Sequence, residues 1–382
     1  MRIEAIWTKQ GPAQTVCSVL TAAGHQAWFV GGCVRNALIG APMSDLDITT
    51  DALPDTVVAL AKAAGLRVIP TGIDHGTVTI LAQSLPFEVT TLRRDVATDG
   101  RHATVAFTNQ IAEDARRRDF TINALYATPN GTVIDPLGGL PDLMARRIRF
   151  VGDPDARITE DYLRILRFFR FHAWYGDPAE GIDADGLAAC AAHLDGLEHL
   201  SRERVGAEMR KLLAAPDPAP AMAAMRSSGA LLRILPGAGT GLLTVLIHVE
   251  QVAGLQADPL RRLAALGGNG VAGALRLSNA EAAKLDRLRA GQESTLSAGA
   301  LGYHFGANEA LDILALRAAS FEQELDTVQA DLANFGATQT CPVKAIDLMP
   351  ALHGPAIGQA LKAIETRWIA SNFTLTKAAL LE

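Results

Sequence analysis

The chain is 382 residues long, 49% hydrophobic and 20% charged, with a formal net charge of −6 at pH 7. That length has room for two or three domains, and the composition is that of a soluble globular protein, not of a disordered or fibrous one. No apolar run approaches the roughly 20 residues of a bilayer-spanning helix, and the N-terminus lacks the basic-then-apolar order of a secretory signal. Cys17, Cys33, Cys190 and Cys341 lie too far apart for a metal motif or a disulfide framework. A cytoplasmic location without a membrane partner is the expectation.

The first third alternates strand-like and helical stretches. Residues 27–30 predict a strand, 34–39 a short helix, 46–49 a second strand, and 55–64 a helix opened by Pro54. Residues 78–81 and 87–91 predict two strands, antiparallel about a turn at 83–86. Beyond about Asp142 the strand signal fades. Residues 159–175, 201–213 and most of the remaining chain read as Ala- and Leu-rich helices, broken at Pro216-Asp217-Pro218, at 237–241, at 267–270 and near Gly336. His353-Gly354-Pro355 reads as the entry to a late helix. The expected fold class is α+β, a head with a small mixed sheet followed by an all-helical remainder.

Two segments of the head carry chemistry. Phe29-Val30-Gly31-Gly32-Cys33-Val34-Arg35-Asn36 passes from strand through a glycine turn into a helix. Gly31 and Gly32 permit close backbone approach and the helix N-terminus aims N–H groups outward, which suits a triphosphate; Arg35 could pair with its oxygens. A plain tight turn would use the same residues. Ser44-Asp45-Leu46-Asp47-Ile48 comes about ten residues later. Residues two apart in a strand face the same side, so Asp45 and Asp47 would present their carboxylates together. Two such charges are costly unless a cation bridges them, and hard oxygen ligands favour Mg2+. Alone the pair would read as a solvated strand face; after the glycine turn it reads as a metal site. Glu88 is either a third carboxylate or a surface residue.

The negative net charge weighs against a nucleic-acid partner. Arginines nevertheless cluster at 93–94, at 116–118 and from 146 to 170. Screening limits each charge to about 10 Å, so a local basic cleft remains open to RNA.

These residues resemble a known family. Gly31-Gly32-Cys33-Val34-Arg35 followed by Asp45-x-Asp47 is similar to the signature of the class II nucleotidyltransferases, the CCA-adding tRNA nucleotidyltransferases and bacterial poly(A) polymerases. Arg117-Arg118-Asp119-Phe120-Thr121-Ile122-Asn123-Ala124-Leu125 resembles the second motif, and Asp135-Pro136-Leu137-Gly138-Gly139-Leu140-x-Asp142-Leu143 the third. Glu160-Asp161-x-Leu163-Arg164-x-Leu166-Arg167 resembles the base-recognition motif, and Ser201-x-Glu203-Arg204-x-x-x-Glu208 the fifth. Asn36 stands where the family often has Asp, which touches neither proposed metal ligand. The resemblance implies a polymerase beta-like nucleotidyltransferase head at 1–145, a helical neck with the base-recognition helix at 146–213, and a helical, RNA-binding body and tail at 214–382. It implies template-independent addition of C and A to the 3′ end of tRNA from CTP and ATP, with no protein partner indicated.

In the base-recognition stretch, Thr159 is expected to cap the helix. Tyr162, Ile165, Leu166, Phe169 and Ala173 share the core face; Asp161, Arg164, Arg167 and Arg170 curl round the other side, where they would otherwise make ordinary ion pairs. Cytosine and adenine each show an amino donor beside a ring-nitrogen acceptor, so a carboxylate from Asp161 and a guanidinium from Arg164 match both and oppose uracil and guanine. The resemblance adds Gly32, Arg118, Arg167 and Arg170 to the nucleotide site and leaves Asp119 to hold an arginine in position.

Poly(A) polymerases typically carry a Gly-Arg-Arg-Phe-like block after the aspartates and a basic tail. Here Thr71-Gly72-Ile73-Asp74-His75-Gly76-Thr77-Val78-Thr79 looks like the CCA-adding form, and 93–107 resembles the loop associated with terminal A addition or is a polar surface loop. Neither His75 nor His102 is needed as a base where a metal activates the nucleophile. A poly(A) polymerase and a non-catalytic RNA-binding relative stand as alternatives; intact Asp45, Asp47 and Arg118 speak against the second.

Overall fold

A computed structural model describes residues 1–70, 72–99, 102–349 and 351–382. The chain forms two compact units: Met1–Glu208 with Pro220–Ile234, and Met209–Ala219 with Leu235–Glu382.

The first unit begins with α1 (Pro12–Ala22), a helix not expected from the sequence, then β1 (Ala27–Val30), α2 (Gly32–Ile39), β2 (Asp47–Thr50), α3 (Pro54–Ala63), β3 (Arg67–Ile69), β4 (Thr77–Ala82) and β5 (Leu85–Thr91). It continues through β6 (Arg93–Asp99), β7 (His102–Phe107), α4 (Ile111–Arg116), β8 (Tyr126–Ala127), β9 (Val133–Ile134), α5 (Leu140–Met144), α6 (Pro154–Glu160), α7 (Leu163–Tyr175) and α8 (Ala184–Ala192). Seven strands form one mixed sheet in the order β3-β4-β5-β2-β1-β8-β9. Its single parallel pair, β2 with β5, lies at the middle of the sheet.

The expected hairpin of β4 and β5 is antiparallel and pairs as far as Ala82 opposite Leu85. Its two-residue turn holds Gln83 and Ser84 at φ 50° and 65°, the left-handed sense that matches the twist of hairpin strands. Segment 93–107, expected to be a loop, carries the antiparallel pair β6 and β7; its tip, Gly100 and Arg101, lies outside the described residues, as does Thr71 of the CCA-like block. The expected helix over 159–175 is two helices. Asp161 adopts an extended conformation (φ −156°, ψ 104°), ending α6, and its Oδ1 accepts the Leu163 N–H at 3.1 Å to open α7. Thr159 is therefore no cap: it lies inside α6 with its hydroxyl donating to the Asp155 and Ala156 carbonyls. The helix that holds Thr159 starts earlier, at Pro154, and its cap is Asp153, whose Oδ1 accepts the Ala156 N–H at 2.9 Å.

The remaining elements are all helical: α9 (Arg202–Leu213), α10 (Ala219–Ser227), α11 (Ala230–Ile234), α12 (Gly241–Ala253), α13 (Pro259–Leu266), α14 (Val271–Ala274), α15 (Asn279–Glu293), α16 (Ala298–Ser320), α17 (Thr327–Ala337), α18 (Ala345–Leu348), α19 (Pro355–Ala370) and α20 (Lys377–Leu381). Gly354 precedes α19 at φ 59°, the loop-to-helix entry expected there. In the second unit Glu250 accepts from Arg261 at 2.7 Å and Arg262 at 2.9 Å, and Asp312 accepts from Arg261 at 2.6 Å. These buried charges are satisfied by one another. No helix among the described residues is long and apolar enough to cross a membrane.

The break expected near Gly336 is the end of α17 at Ala337, and Gly336 lies in the last turn of that helix. A Cβ there would meet the Gly299 carbonyl oxygen of α16 at 2.0 Å, so its role is close helix contact. On an unobstructed helix Gly→Ala stabilises by about 1 kcal/mol. Gly336→Ala is instead expected to destabilise the second unit by about 1–3 kcal/mol through overpacking, read as a lower urea midpoint; an unchanged or higher midpoint contradicts the close contact.

Candidate active site

The chain leaves β1 through Gly31, at φ 72°, and enters α2 at Gly32. A Cβ on Gly32 would stand 2.8 Å from the Ser44 Oγ and 3.5 Å from the Ser44 Cβ, so the Ser44–Asp45 segment lies directly against this turn. On the other side, Arg118 Nη1 lies 3.5 Å from the Cβ position of Gly31. The glycine turn, the acidic segment about ten residues later and the distant Arg118 thus meet at the end of β1.

Strand β2 begins only at Asp47, so Asp45 precedes it and strand alternation does not explain the pairing of these two carboxylates. They are nevertheless neighbours in the field of the site. Burial pushes the Asp47 carboxyl up to about 6, and the negative charges of Glu88 and Asp45 push the same way, while Arg118 opposes them. Glu88 is the direct register partner of Asp47 in the parallel pair. Among the described residues no group of three His, Cys, Asp or Glu side chains is gathered as a metal-holding cluster. The carboxylates that could hold a metal ion are Asp47, Asp45 in its electrostatic field and Glu88 beside it in register. Crowded anionic oxygens are the donor set that a hard divalent cation relieves.

Arg118 is held from behind. Its Nη2 donates to Asp114 Oδ2 at 2.9 Å and its Nε to the Tyr126 hydroxyl at 3.1 Å, and that hydroxyl donates to Asp114 at 2.7 Å. Burial opposes ionisation of Asp114, but Arg118 and Tyr126 outweigh it and keep the carboxyl below its usual range.

Arg35 differs from its expected role as an open phosphate ligand. It is buried, donating to Asn123 Oδ1 at 2.5 Å, to Asn36 Oδ1 at 2.8 Å and to the Tyr175 hydroxyl at 2.7 Å, with the Tyr175 ring centroid 3.8 Å from its guanidinium carbon. The resemblance implied that Asp119 holds an arginine, and its Oδ2 accepts from Arg167 Nε at 2.8 Å. Burial would raise the Asp119 carboxyl, yet Arg167, Asn123 and the Phe120 N–H hold it well below the ordinary range.

On α7, Arg164, Arg167 and Arg170 lie half-buried on one side, while Ile165, Leu166, Phe168 and Phe169 are fully buried. Asp161 and Arg164 do not pair with each other. Asp161 accepts from Arg204 at 2.7 Å, and Arg164 donates to Glu160 and to the Arg157 carbonyl, each at 2.6 Å. A carboxylate has about four lone-pair sites and a guanidinium five donors, so these contacts orient both groups without exhausting them. Arg170 donates to Glu208 at 2.6 Å. Sequence reasoning missed Asn123, Tyr175, Arg204 and Glu208 as site residues. Asn123, Arg204 and Glu208 stand inside motif blocks; Tyr175, at the end of α7, carries no motif signal.

Residues 27–149 match the Poly A polymerase head domain, and residues 181–240 match a domain described as a probable RNA and SrmB-binding site of polymerase A. The mitochondrial CCA tRNA nucleotidyltransferase 1 of Homo sapiens is 41% identical over 201 residues, 52% of this chain and 46% of that protein. The CCA-adding enzyme of Geobacillus thermodenitrificans is 41% identical over 220 residues, 57% of this chain and 52% of that protein. The chain thus spans about half the length of the curated relatives it matches. The crystal structure of the Bacillus stearothermophilus CCA-adding enzyme in complex with CTP superposes with a TM-score of 0.76 at 29% identity, covering 94% of this chain and 92% of that one. A Thermotoga maritima CCA-adding enzyme complexed with tRNA shares the fold, with a TM-score of 0.67 at 18% identity over 96% of this chain and 92% of that one.

A folded-state value near 6 against 3.8 for an ordinary aspartate means the folded chain holds the Asp47 proton longer. The resulting penalty grows as pH rises through about 4 to 6 and is complete at neutrality. Asp47→Asn is therefore expected to raise the melting temperature of the metal-free protein at pH 7.5 and to lose that advantage as pH falls toward 4. Calorimetry in chelator at both pH values checks this; a lower melting temperature at pH 7.5 contradicts it.

Proposed function

We propose, from the match of residues 27–149 to the Poly A polymerase head domain, that the chain adds C and A nucleotides to the 3′ end of tRNA from CTP and ATP without a template, releasing pyrophosphate. The observation that carries the reading is the meeting of the Gly31–Gly32 turn, the Asp45 and Asp47 carboxylates and Arg118 at one end of the sheet. The relatives named as CCA-adding enzymes and the CTP-bound match support that substrate choice. The proposed division of labour is catalytic head 1–145, neck 146–213 and RNA-binding body and tail 214–382. We place the enzyme in the cytoplasm.

Nucleotidyltransferases of this family use divalent metal ions, and Mg2+ is the ion proposed here, held by Asp45 and Asp47. Bound there, it would supply activation of the attacking 3′-hydroxyl and charge neutralisation of the departing pyrophosphate. The glycine turn offers backbone N–H groups to the triphosphate, and Gly32 keeps that approach open. Arg118, braced by Asp114 and Tyr126, contributes a fixed positive charge beside it. Arg35, with its guanidinium bound to Asn123 and Tyr175, holds the turn in place. Asp161 and Arg164 read the base edge, with Arg167 and Arg170 lining the nucleotide's side of α7; an unmet buried polar group costs roughly 1–3 kcal/mol, enough to reject UTP and GTP by about ten- to a hundredfold.

The deciding assay is purified protein with Mg2+, labelled CTP or ATP, and tRNA lacking its terminal CCA. Incorporation of two cytidines and one adenosine is the expected product. No incorporation points to a non-catalytic RNA-binding relative, and long A tails without CTP point to a poly(A) polymerase. Asp45→Ala is expected to lower incorporation by at least about a thousandfold while tRNA binding is retained; wild-type turnover removes the metal assignment. Asp161→Ala is expected to let UTP or GTP compete, and unchanged selectivity removes that residue from base reading.

A further inference from the structure

A continuous set of hydrogen bonds joins the glycine turn to the base-reading helix. Arg35, in the first turns of α2, donates through Nη1 to Asn123 Oδ1 at 2.5 Å. The Asn123 amide donates in turn to Asp119 Oδ1 at 2.9 Å. Asp119 uses its other oxygen to accept from Arg167 Nε on α7 at 2.8 Å. Arg35 is tied to the same helix a second time through the Tyr175 hydroxyl at 2.7 Å. The guanidinium groups of Arg35, Arg167 and Arg170 all face the Phe171 ring, at 5.3, 5.3 and 4.4 Å from its centroid.

We infer that Asn123 is a positioning residue that couples base reading to triphosphate placement, so that nucleotide choice depends on the Arg35–Asn123–Asp119–Arg167 relay as well as on the residues that face the base. This rests on the proposed nucleotide-selecting function of α7. The chemistry of Asn123 fits the task because its amide is the one group in the relay that both accepts and donates. It satisfies a cation on one side and an anion on the other, which neither Asp nor a hydrocarbon of the same size does. All four side chains of the relay lie within the first unit and are mostly buried, where charge-assisted hydrogen bonds are short and directional. A shift of Arg167 on seating a base is therefore passed to Asp119, to Asn123 and to Arg35, whose backbone belongs to the helix that opens at the phosphate-facing turn.

Asn123→Asp tests this with little change in volume. It keeps the acceptor for Arg35 but removes the donor to Asp119 and sets two carboxylates against each other. Single-nucleotide incorporation from CTP and from UTP is measured on tRNA lacking CCA, with kcat and KM separated, for the wild type, Asn123→Asp, Arg35→Lys and Asp161→Ala. Each variant is first checked by thermal melting. The relay predicts that Asn123→Asp lowers the CTP-to-UTP ratio of kcat/KM by about tenfold or more, through a fall in kcat for CTP with KM changed by less than about twofold. Arg35→Lys, which keeps the charge and loses the planar fork, is expected to shift the ratio in the same direction and serves if Asn123→Asp does not fold. A merely structural role would lower turnover of both nucleotides equally. If Asp161→Ala alters the ratio and both relay variants leave it unchanged, the relay is overturned and base reading stands. If all three leave it unchanged, base reading by α7 fails and the relay fails with it.

Discussion

Negative charge held against negative charge, at the end of a strand and partly out of water, is the constraint around which the head is built. Asp47 opens β2 beside Glu88 of β5, with Asp45 just before it, and burial adds to the repulsion. Such an arrangement is unfavourable for an isolated chain and becomes favourable when a cation and a polyanionic ligand share the site. The folded chain offsets part of the repulsion with Arg118, itself fixed by Asp114 and Tyr126. The remainder is repulsion that a bound cation would relieve, and functional sites are where such departures from the rules of the rest of a fold are expected.

The surrounding structure keeps those groups in place. The one parallel strand pair at the centre of the sheet sets Asp47 and Glu88 side by side. The Ser44–Asp45 segment lies directly against the turn at Gly32. The Phe120, Phe150, Phe168 and Phe171 rings, with centroids 4.9 to 6.3 Å apart, pack the motif around Asp119 against α7. Precision in the head thus comes from an aromatic core and from polar groups that are paired rather than solvated. The second unit solves a different problem, tying helices together through the buried Glu250, Arg261, Arg262 and Asp312 cluster and through glycine contacts between α16 and α17.

Much of the head was legible in the sequence because its signals are local. A β-rich run, a Gly-Gly turn and a helix are coded within ten residues, and β1, α2, α3, β4 and β5 lie where the pattern places them, to within about two residues at each end. The break at Asp161 was hidden because the apolar periodicity runs on past it; the residue that ends α6 also accepts the first N–H of α7. The ribbon at 93–107 was hidden because its alternation is weak and polar. The helix end near Gly336 was legible, but its second role was not: that a glycine also lets two helices touch shows only once the partner backbone is known. In the candidate site, residue types and spacing pointed to Asp45 and Asp47, and the family resemblance to Arg118, whereas the partners of Arg35 could not be read, since Asn123 and Tyr175 are 88 and 140 residues away. Long-range polar partners leave no periodic trace in a sequence.

Asp45 and Asp47 are proposed to converge on one divalent ion beside a bound triphosphate. A crystal of the protein soaked with CTP and Mg2+ tests this most directly. The expected result is an ion ligated by one oxygen from each aspartate at about 2.0–2.1 Å, with the triphosphate against the Gly31–Gly32 turn. Bound CTP with the two carboxylates turned apart and no ion between them would contradict it.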